Sequence, residues 1–190
     1  WKASDIGIKP HPGCRSTHVA LTLMQELLSE RFLSPDQIEA VCVEGPPEVR
    51  KQFDRPIPTM PLDAQFSVQY GIARVVVSSA LVSADYQQNR LAEDRVVGLQ
   101  RKIEVRSNED LHGEETVISV TLTSGETLRR KGRYPKGDPQ NPFSSDEIIS
   151  KYQANSKPIL GQRKTELVRD WVIEADDSSP VPELFEIFRD

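Results

Sequence analysis

Ten residues, Lys9-Pro-His-Pro-Gly-Cys-Arg-Ser-Thr-His18, place a lysine, an arginine, two histidines and a cysteine at the mouth of an expected helix. Two prolines and a glycine keep residues 10–13 out of that helix, and Ser16 or Thr17 can cap it. From His18 onward, Ala20, Met24, Leu27 and Leu28 recur at helical spacing. A helix start presents backbone N–H groups without intrahelical acceptors and a partial positive charge. With Lys9, Arg15 and His18 beside it, such an end suits an anion, most simply a carboxylate or a phosphate. The competing reading is a capped turn with solvated charges.

Lys9 can neutralise a carboxylate or stabilise the enolate-like charge that forms when a proton is removed beside one; otherwise it is a solvated surface lysine. Cys14 precedes a helix start, between His11 and His18 and next to Arg15, a setting in which a cysteine can act as nucleophile or base. A two-thiol mechanism would need a second cysteine opposite the first, and Cys42, inside a strand candidate, is expected in the core. His18, in the first turn, reads as a neutral imidazole making one hydrogen bond, to a ligand or to a loop carbonyl. His11, between prolines, is expected at the surface, and His112 lies in a loop. Tyr70 shares a helical face with Phe66 and Ala73 and reads as a core tyrosine with its hydroxyl satisfied. Gln65 and Gln69, four residues apart, can present their amides to a ligand or to another domain.

The elements that must position these residues fit one domain. The chain has 190 residues, 37% of them hydrophobic, enough for a real core. A net charge of −5 without a basic stripe excludes a nucleic-acid partner. Two cysteines make no disulfide framework, which favours a reducing, cytoplasmic setting. No CxxC or HxxxH spacing suggests a metal. The longest apolar-rich stretch, 66–82, is interrupted by Gln69, Arg74 and serines, so it reads as a buried helix and not as a membrane span. No secretion signal is evident at the start.

Periodicity predicts a short strand over 5–9, a helix over 18–31 and a capped turn at Ser34-Pro35-Asp36-Gln37, followed by a strand over 38–43 stopped by Gly45-Pro46-Pro47. A Pro-rich segment over 55–61 leads to helices over 64–82 and 91–101. Strands over 102–107, 116–121 and 126–130 follow, the last two a hairpin turning at Ser124-Gly125. After a loop over 131–143, Ser144 and Glu147 form a capping box for a helix to about residue 155. Two short helices, 163–173 and 181–188, close the chain. The class is α+β, a small antiparallel sheet packed with helices.

Three blocks carry a resemblance. Lys-Pro-x-Pro-x-Cys-Arg-x-Thr-His over 9–18 is the first, and Ala64-Gln-Phe-Ser-Val-Gln-Tyr-Gly-Ile-Ala73 the second. The third is Gly137-Asp-Pro-Gln-Asn-Pro-Phe-Ser144 running into Glu147-Ile-Ile-Ser-Lys-Tyr152. In this order they resemble the C-terminal domain of the MmgE/PrpD family, whose members act on di- and tricarboxylates as dehydratases, decarboxylases or epimerases. The resemblance implies that residues 1–190 form the second, lid-like domain of a larger two-domain enzyme. The N-terminal helical domain would lie outside this chain, which begins with Trp1 and not Met. It implies a 2-methylcitrate dehydratase-like lyase acting on a small polycarboxylate by proton abstraction beside a carboxylate. A decarboxylase or epimerase of the family, or a non-catalytic anion-binding module, is the alternative. Lys9, Cys14, His18 and Tyr70 are then the expected catalytic residues, with the Tyr70 hydroxyl at the substrate cavity. Arg15, Ser16, Gln65 and Gln69 are the expected substrate-binding residues. No metal and no organic cofactor is implied, and the partners are the helical domain and, at full length, a second copy in a homodimer.

Overall fold

The computed structural model describes residues 5–176 and 178–189, in two compact units, Trp1–Pro142 and Phe143–Asp190. In the first unit, α1 (His18–Glu30) is followed by the capped turn at Pro35–Gln37 and β1 (Ile38–Gly45). Four helices come next: α2 (Pro47–Phe53), α3 (Pro61–Ala64), α4 (Val68–Ser78) and α5 (Asp94–Gln100). The chain then forms β2 (Ile103–Ser107), β3 (Thr116–Leu122) and β4 (Thr127–Gly132).

The strand order is β2-β1-β3-β4. β1 pairs antiparallel with β3, and β3 with β4, while β2 runs parallel to β1. The α+β class holds, with one parallel pairing in an otherwise antiparallel sheet. The strands predicted over 102–107 and 116–121, consecutive in sequence, are separated by β1, whose Val41 and Val43 fill the centre of the sheet. A parallel pair needs a long crossover, and residues 46–102, carrying α2 to α5, supply it.

One sheet face is apolar and carries the helices. α1 packs on β3 and β4, α4 packs on β2, and the two helices pack against each other. Val19, Leu23, Met24 and Leu27 of α1 meet Val41, Val43, Ile118 and Val120 in the core with Ile72 and Val75 of α4. The other face carries Cys42, Glu44, Glu104, Arg106, Ser119 and Arg129. Cys42, expected in the core, therefore points away from it, because strand side chains alternate and Val41 and Val43 take the core positions.

Two predicted elements differ. Residues 6–9 form no strand, and among the described residues their backbone bond is Ile8 N–H to the Gly137 carbonyl (2.8 Å). The predicted helix over 64–82 is broken. Ser67 caps α4 by accepting the Tyr70 N–H (2.9 Å) and donates to the Arg55 carbonyl (2.6 Å), and Ser79 ends α4 with a left-handed φ of 60°. A serine that finds both a helix N–H and a loop carbonyl competes with helix continuation, which an apolar run does not reveal.

The second unit holds α6 (Ser145–Glu174) and α7 (Val181–Glu186). The capping box of Ser144 and Glu147 starts α6 as predicted. Gly161, at φ 75°, breaks it. The Tyr152 hydroxyl donates to the Thr165 carbonyl at 3.1 Å, 13 residues on. A straight helix would hold them about 20 Å apart. The stretch is thus a hairpin of two helices. Residue 177, between the predicted helices 163–173 and 181–188, lies outside the described residues. Among the described residues, no helix is long and apolar enough to cross a membrane.

The strongest polar constraint in the first unit is Arg74 on α4, which is fully buried. Its Nε donates to the Tyr70 hydroxyl (3.0 Å), Nη1 to Glu93 (2.6 Å) and Nη2 to the Arg90 carbonyl. Asp85 lies 3.8 Å from the guanidinium, and its carbonyl accepts the Tyr70 hydroxyl. The Arg74 hydrogen bond holds the Glu93 carboxyl below the usual carboxylate range. A buried guanidinium is tolerated only when paired in this way, so the cluster locks residues 83–93 onto α4. Arg74→Met is expected to lower stability by about 3–5 kcal/mol, since it removes the cation from a buried cluster and leaves the Arg90 carbonyl without its donor. Arg31→Ala, which breaks a surface pair with Glu126, should cost under about 1 kcal/mol. Denaturant unfolding of the two variants checks the contrast.

Candidate functional site

The turn over 9–14 is fixed from three sides. The Tyr86 hydroxyl donates to the Pro12 carbonyl (2.8 Å), the Cys14 N–H to the Gln65 carbonyl (2.9 Å), and the Ile8 N–H to Gly137. The first block thus meets the second at Gln65, and the third through Arg15 and Asp138, with Ile8 just ahead of it bound to Gly137. Gly13 has φ +125°, and a Cβ there would lie 2.8 Å from the Tyr86 hydroxyl and 3.2 Å from the Gln65 carbonyl. Only glycine fits this position on both counts. The exposed Lys9 amine folds over the turn and donates to the Gly13 carbonyl at 2.9 Å, one residue before Cys14.

Cys14 opens a short 3-10 turn, Arg15–Thr17, that feeds α1. Neither Ser16 nor Thr17 caps by accepting an N–H. Thr17 instead donates its hydroxyl to the Cys14 carbonyl (2.8 Å), because its backbone is already helical. Cys14 and Ser16 are half-buried at this start, and Cys14 packs against the core. Cys42, on the open sheet face with its thiol pushed up by burial, offers no second thiol on that side.

Arg15, expected to bind substrate, is committed elsewhere. Its guanidinium donates to Asp138 (2.5 Å) and to Glu114 (3.1 Å), and the Asp138 hydrogen bond raises its pKa. Burial alone would raise the Asp138 carboxyl, but the Gln140 N–H and Arg15 outweigh it and hold the group below the usual range. The sequence hides this pairing, which joins residues 123 apart.

The histidines lie beneath the turn. His11, expected at the surface, is 5% exposed and pairs with Gln25 (3.1 Å). Its ring meets that of buried His18 nearly edge-on, with centroids 5.7 Å apart.

Tyr70 and Gln69 are also core residues. The Tyr70 hydroxyl, expected at a cavity, is fully buried between the Asp85 carbonyl and Arg74, and burial pushes the phenol up. Gln69 is fully buried too, accepting the Arg55 N–H (3.2 Å) and donating to Asp54 (2.6 Å). The helix break at Ser67 separates it from Gln65, so the two amides do not share a helical face. Tyr86, Asp138 and the Arg74 cluster, which hold the site together, lie outside the candidate set read from sequence.

The MmgE/PrpD C-terminal domain profile matches residues 11–175. The chain belongs to the MmgE/PrpD family. Human (Homo sapiens) cis-aconitate decarboxylase is 25% identical over 165 residues, 82% of this chain and 34% of that protein. The Mus musculus enzyme of the same name is 24% identical over 169 residues, again 82% and 34%. The chain thus spans about a third of the length of the curated relatives it matches.

In this MmgE/PrpD domain, the geometry leaves the Lys9 amine exposed at the turn, beside the half-buried Cys14, Arg15 and Ser16. Arg15, matched by two carboxylates, adds no net positive charge there.

Two outcomes follow. The Asp138 carboxyl titrates lower in the folded state than its unfolded value of about 3.9. The stability from its pairing is therefore complete above that value and is lost as pH falls through the folded-state value. Wild type and Asp138→Asn should differ by about 1 kcal/mol at neutral pH and converge below about pH 4, in thermal melts across pH. Tyr70→Phe should lower stability by about 1–3 kcal/mol, because it leaves a buried carbonyl without its donor. Denaturant titration reads this directly.

Proposed function

We propose that this domain is the second, lid-like domain of a cofactor-independent lyase acting on a small polycarboxylate, with 2-methylcitrate dehydratase-like chemistry. In that reaction a base removes a proton beside a carboxylate. The freed electron pair forms the double bond as the C–O bond breaks, and the leaving hydroxide is protonated and departs as water. Charge builds on the neighbouring carboxylate, where a cation and N–H donors stabilise it.

The observation that carries the reading is the Lys9 amine, held 2.9 Å from the Gly13 carbonyl at the start of α1, in the turn that all three family blocks build. Lys9 is the cation of the proposal, and Cys14 and Ser16 line the helix start. Buried His18 meets the ring of His11 in the turn. The base and the acid for the leaving group belong to the helical domain expected before this one, in a cytoplasmic homodimer.

The names of the two relatives favour a second reading, decarboxylation. There a C–C bond breaks, carbon dioxide leaves, and the carbanion takes a proton; the same cation serves.

Full-length protein incubated with 2-methylcitrate and with cis-aconitate, with products followed by NMR, separates the readings. Loss of water from 2-methylcitrate is the expected result, and carbon dioxide released from cis-aconitate would move the assignment to the decarboxylase. Lys9→Met should lower kcat/KM by about 10²–10³-fold with an unchanged Tm. Binding of a polycarboxylate without turnover would leave only an anion-binding module.

A further inference from the structure

We propose that Tyr86 is the positioning residue of the Gly13–Cys14 turn, holding it against the buried Arg74 cluster. Tyr86 is 8% exposed, and its hydroxyl donates to the Pro12 carbonyl across 74 residues of chain. Its hydroxyl also occupies the space that a side chain at residue 13 would need. The ring packs against Tyr70, with centroids 5.7 Å apart. Asp85, the preceding residue, accepts the Tyr70 hydroxyl through its carbonyl and caps its own turn by accepting the Val82 N–H at 2.8 Å. Arg74 closes the chain of contacts by donating to that Tyr70 hydroxyl. A continuous path thus runs from the guanidinium in the core to the backbone carbonyl two residues before Cys14. Burial pushes the Tyr86 phenol up, so it remains a neutral donor to Pro12.

Two consequences separate positioning from plain packing. The turn should loosen when the Tyr86 hydroxyl is removed and the ring kept. A side chain at residue 13 should be less harmful once that hydroxyl is gone. The bearing of Tyr86 on catalysis rests on the function proposed above, but its bearing on Cys14 does not.

The test uses this chain with Cys42→Ser, which leaves Cys14 as the sole thiol. The rate of Cys14 alkylation by iodoacetamide is measured beside the Tm. Tyr86→Phe should speed alkylation about fivefold, the change in local opening that one lost hydrogen bond of ordinary strength produces. Ile118→Val, a core substitution away from the turn, should lower the Tm and leave the rate unchanged. Gly13→Ala should also speed alkylation, and by a smaller factor in the Tyr86→Phe background than in the wild type. If Tyr86→Phe lowers the Tm without changing the rate, or Ile118→Val speeds alkylation equally, Tyr86 is a packing residue and the proposal falls. In full-length protein, Tyr86→Phe should lower kcat more than it raises KM. If that protein turns over no polycarboxylate while the alkylation effect persists, the functional reading fails and the positioning of Cys14 stands.

Discussion

A single buried guanidinium organises this domain. Arg74 has no exposure, so every charge and donor it carries must be met inside the protein. Tyr70, Glu93 and the Arg90 carbonyl meet them, and in doing so they fix a segment that has little regular structure of its own. Residues 79–93 hold only short 3-10 turns. Without the Arg74 cluster nothing periodic would tell that segment where to lie. With it, Asp85 and Tyr86 are set beside the Lys9 turn, and an irregular loop becomes a rigid support for another irregular loop.

The electrostatics of the site follow from a division of labour among cations. Arg15 and Arg74 both sit near the turn in sequence or in space, and both are absorbed by carboxylates: Arg15 by Asp138 and Glu114, Arg74 by Glu93 and Asp85. Each is structural. Lys9 instead donates to a carbonyl, which leaves its charge without a carboxylate partner among the described residues. Both lyase readings need this asymmetry, because charge that develops beside a carboxylate is best met by a cation whose field is not already cancelled.

Much of this was legible in the sequence, for physical reasons that can be named. The capping boxes at Ser34 and Ser144, the proline stop after Gly45 and the alternation in β3 depend on neighbours only a few residues away, and the structure has them where they were expected. The turn at 10–13 and the helix that follows were equally local. What was hidden depends on distant partners. Arg15 reads as a free cation until Asp138 is brought to it. Tyr70 reads as ligand-facing through the family resemblance and Gln69 through its spacing from Gln65, and their burial follows from Arg74, Asp54 and Asp85 arriving from other segments. His11 reads as exposed because prolines flank it, yet α1 supplies Gln25 to receive it. Cys42 reads as core because β-branched residues surround it, and the pleat turns it outward.

On the proposed function, the Lys9 turn and the start of α1 form the edge that meets a carboxylate. Backbone amide NMR of this chain, titrated with the unreactive tricarboxylate tricarballylate, tests it most directly. Saturable shifts are expected at Gly13, Cys14, Arg15 and Ser16, abolished by Lys9→Met. Shifts confined to the open sheet face around Arg106 and Arg129, with residues 13–16 unmoved, would contradict it.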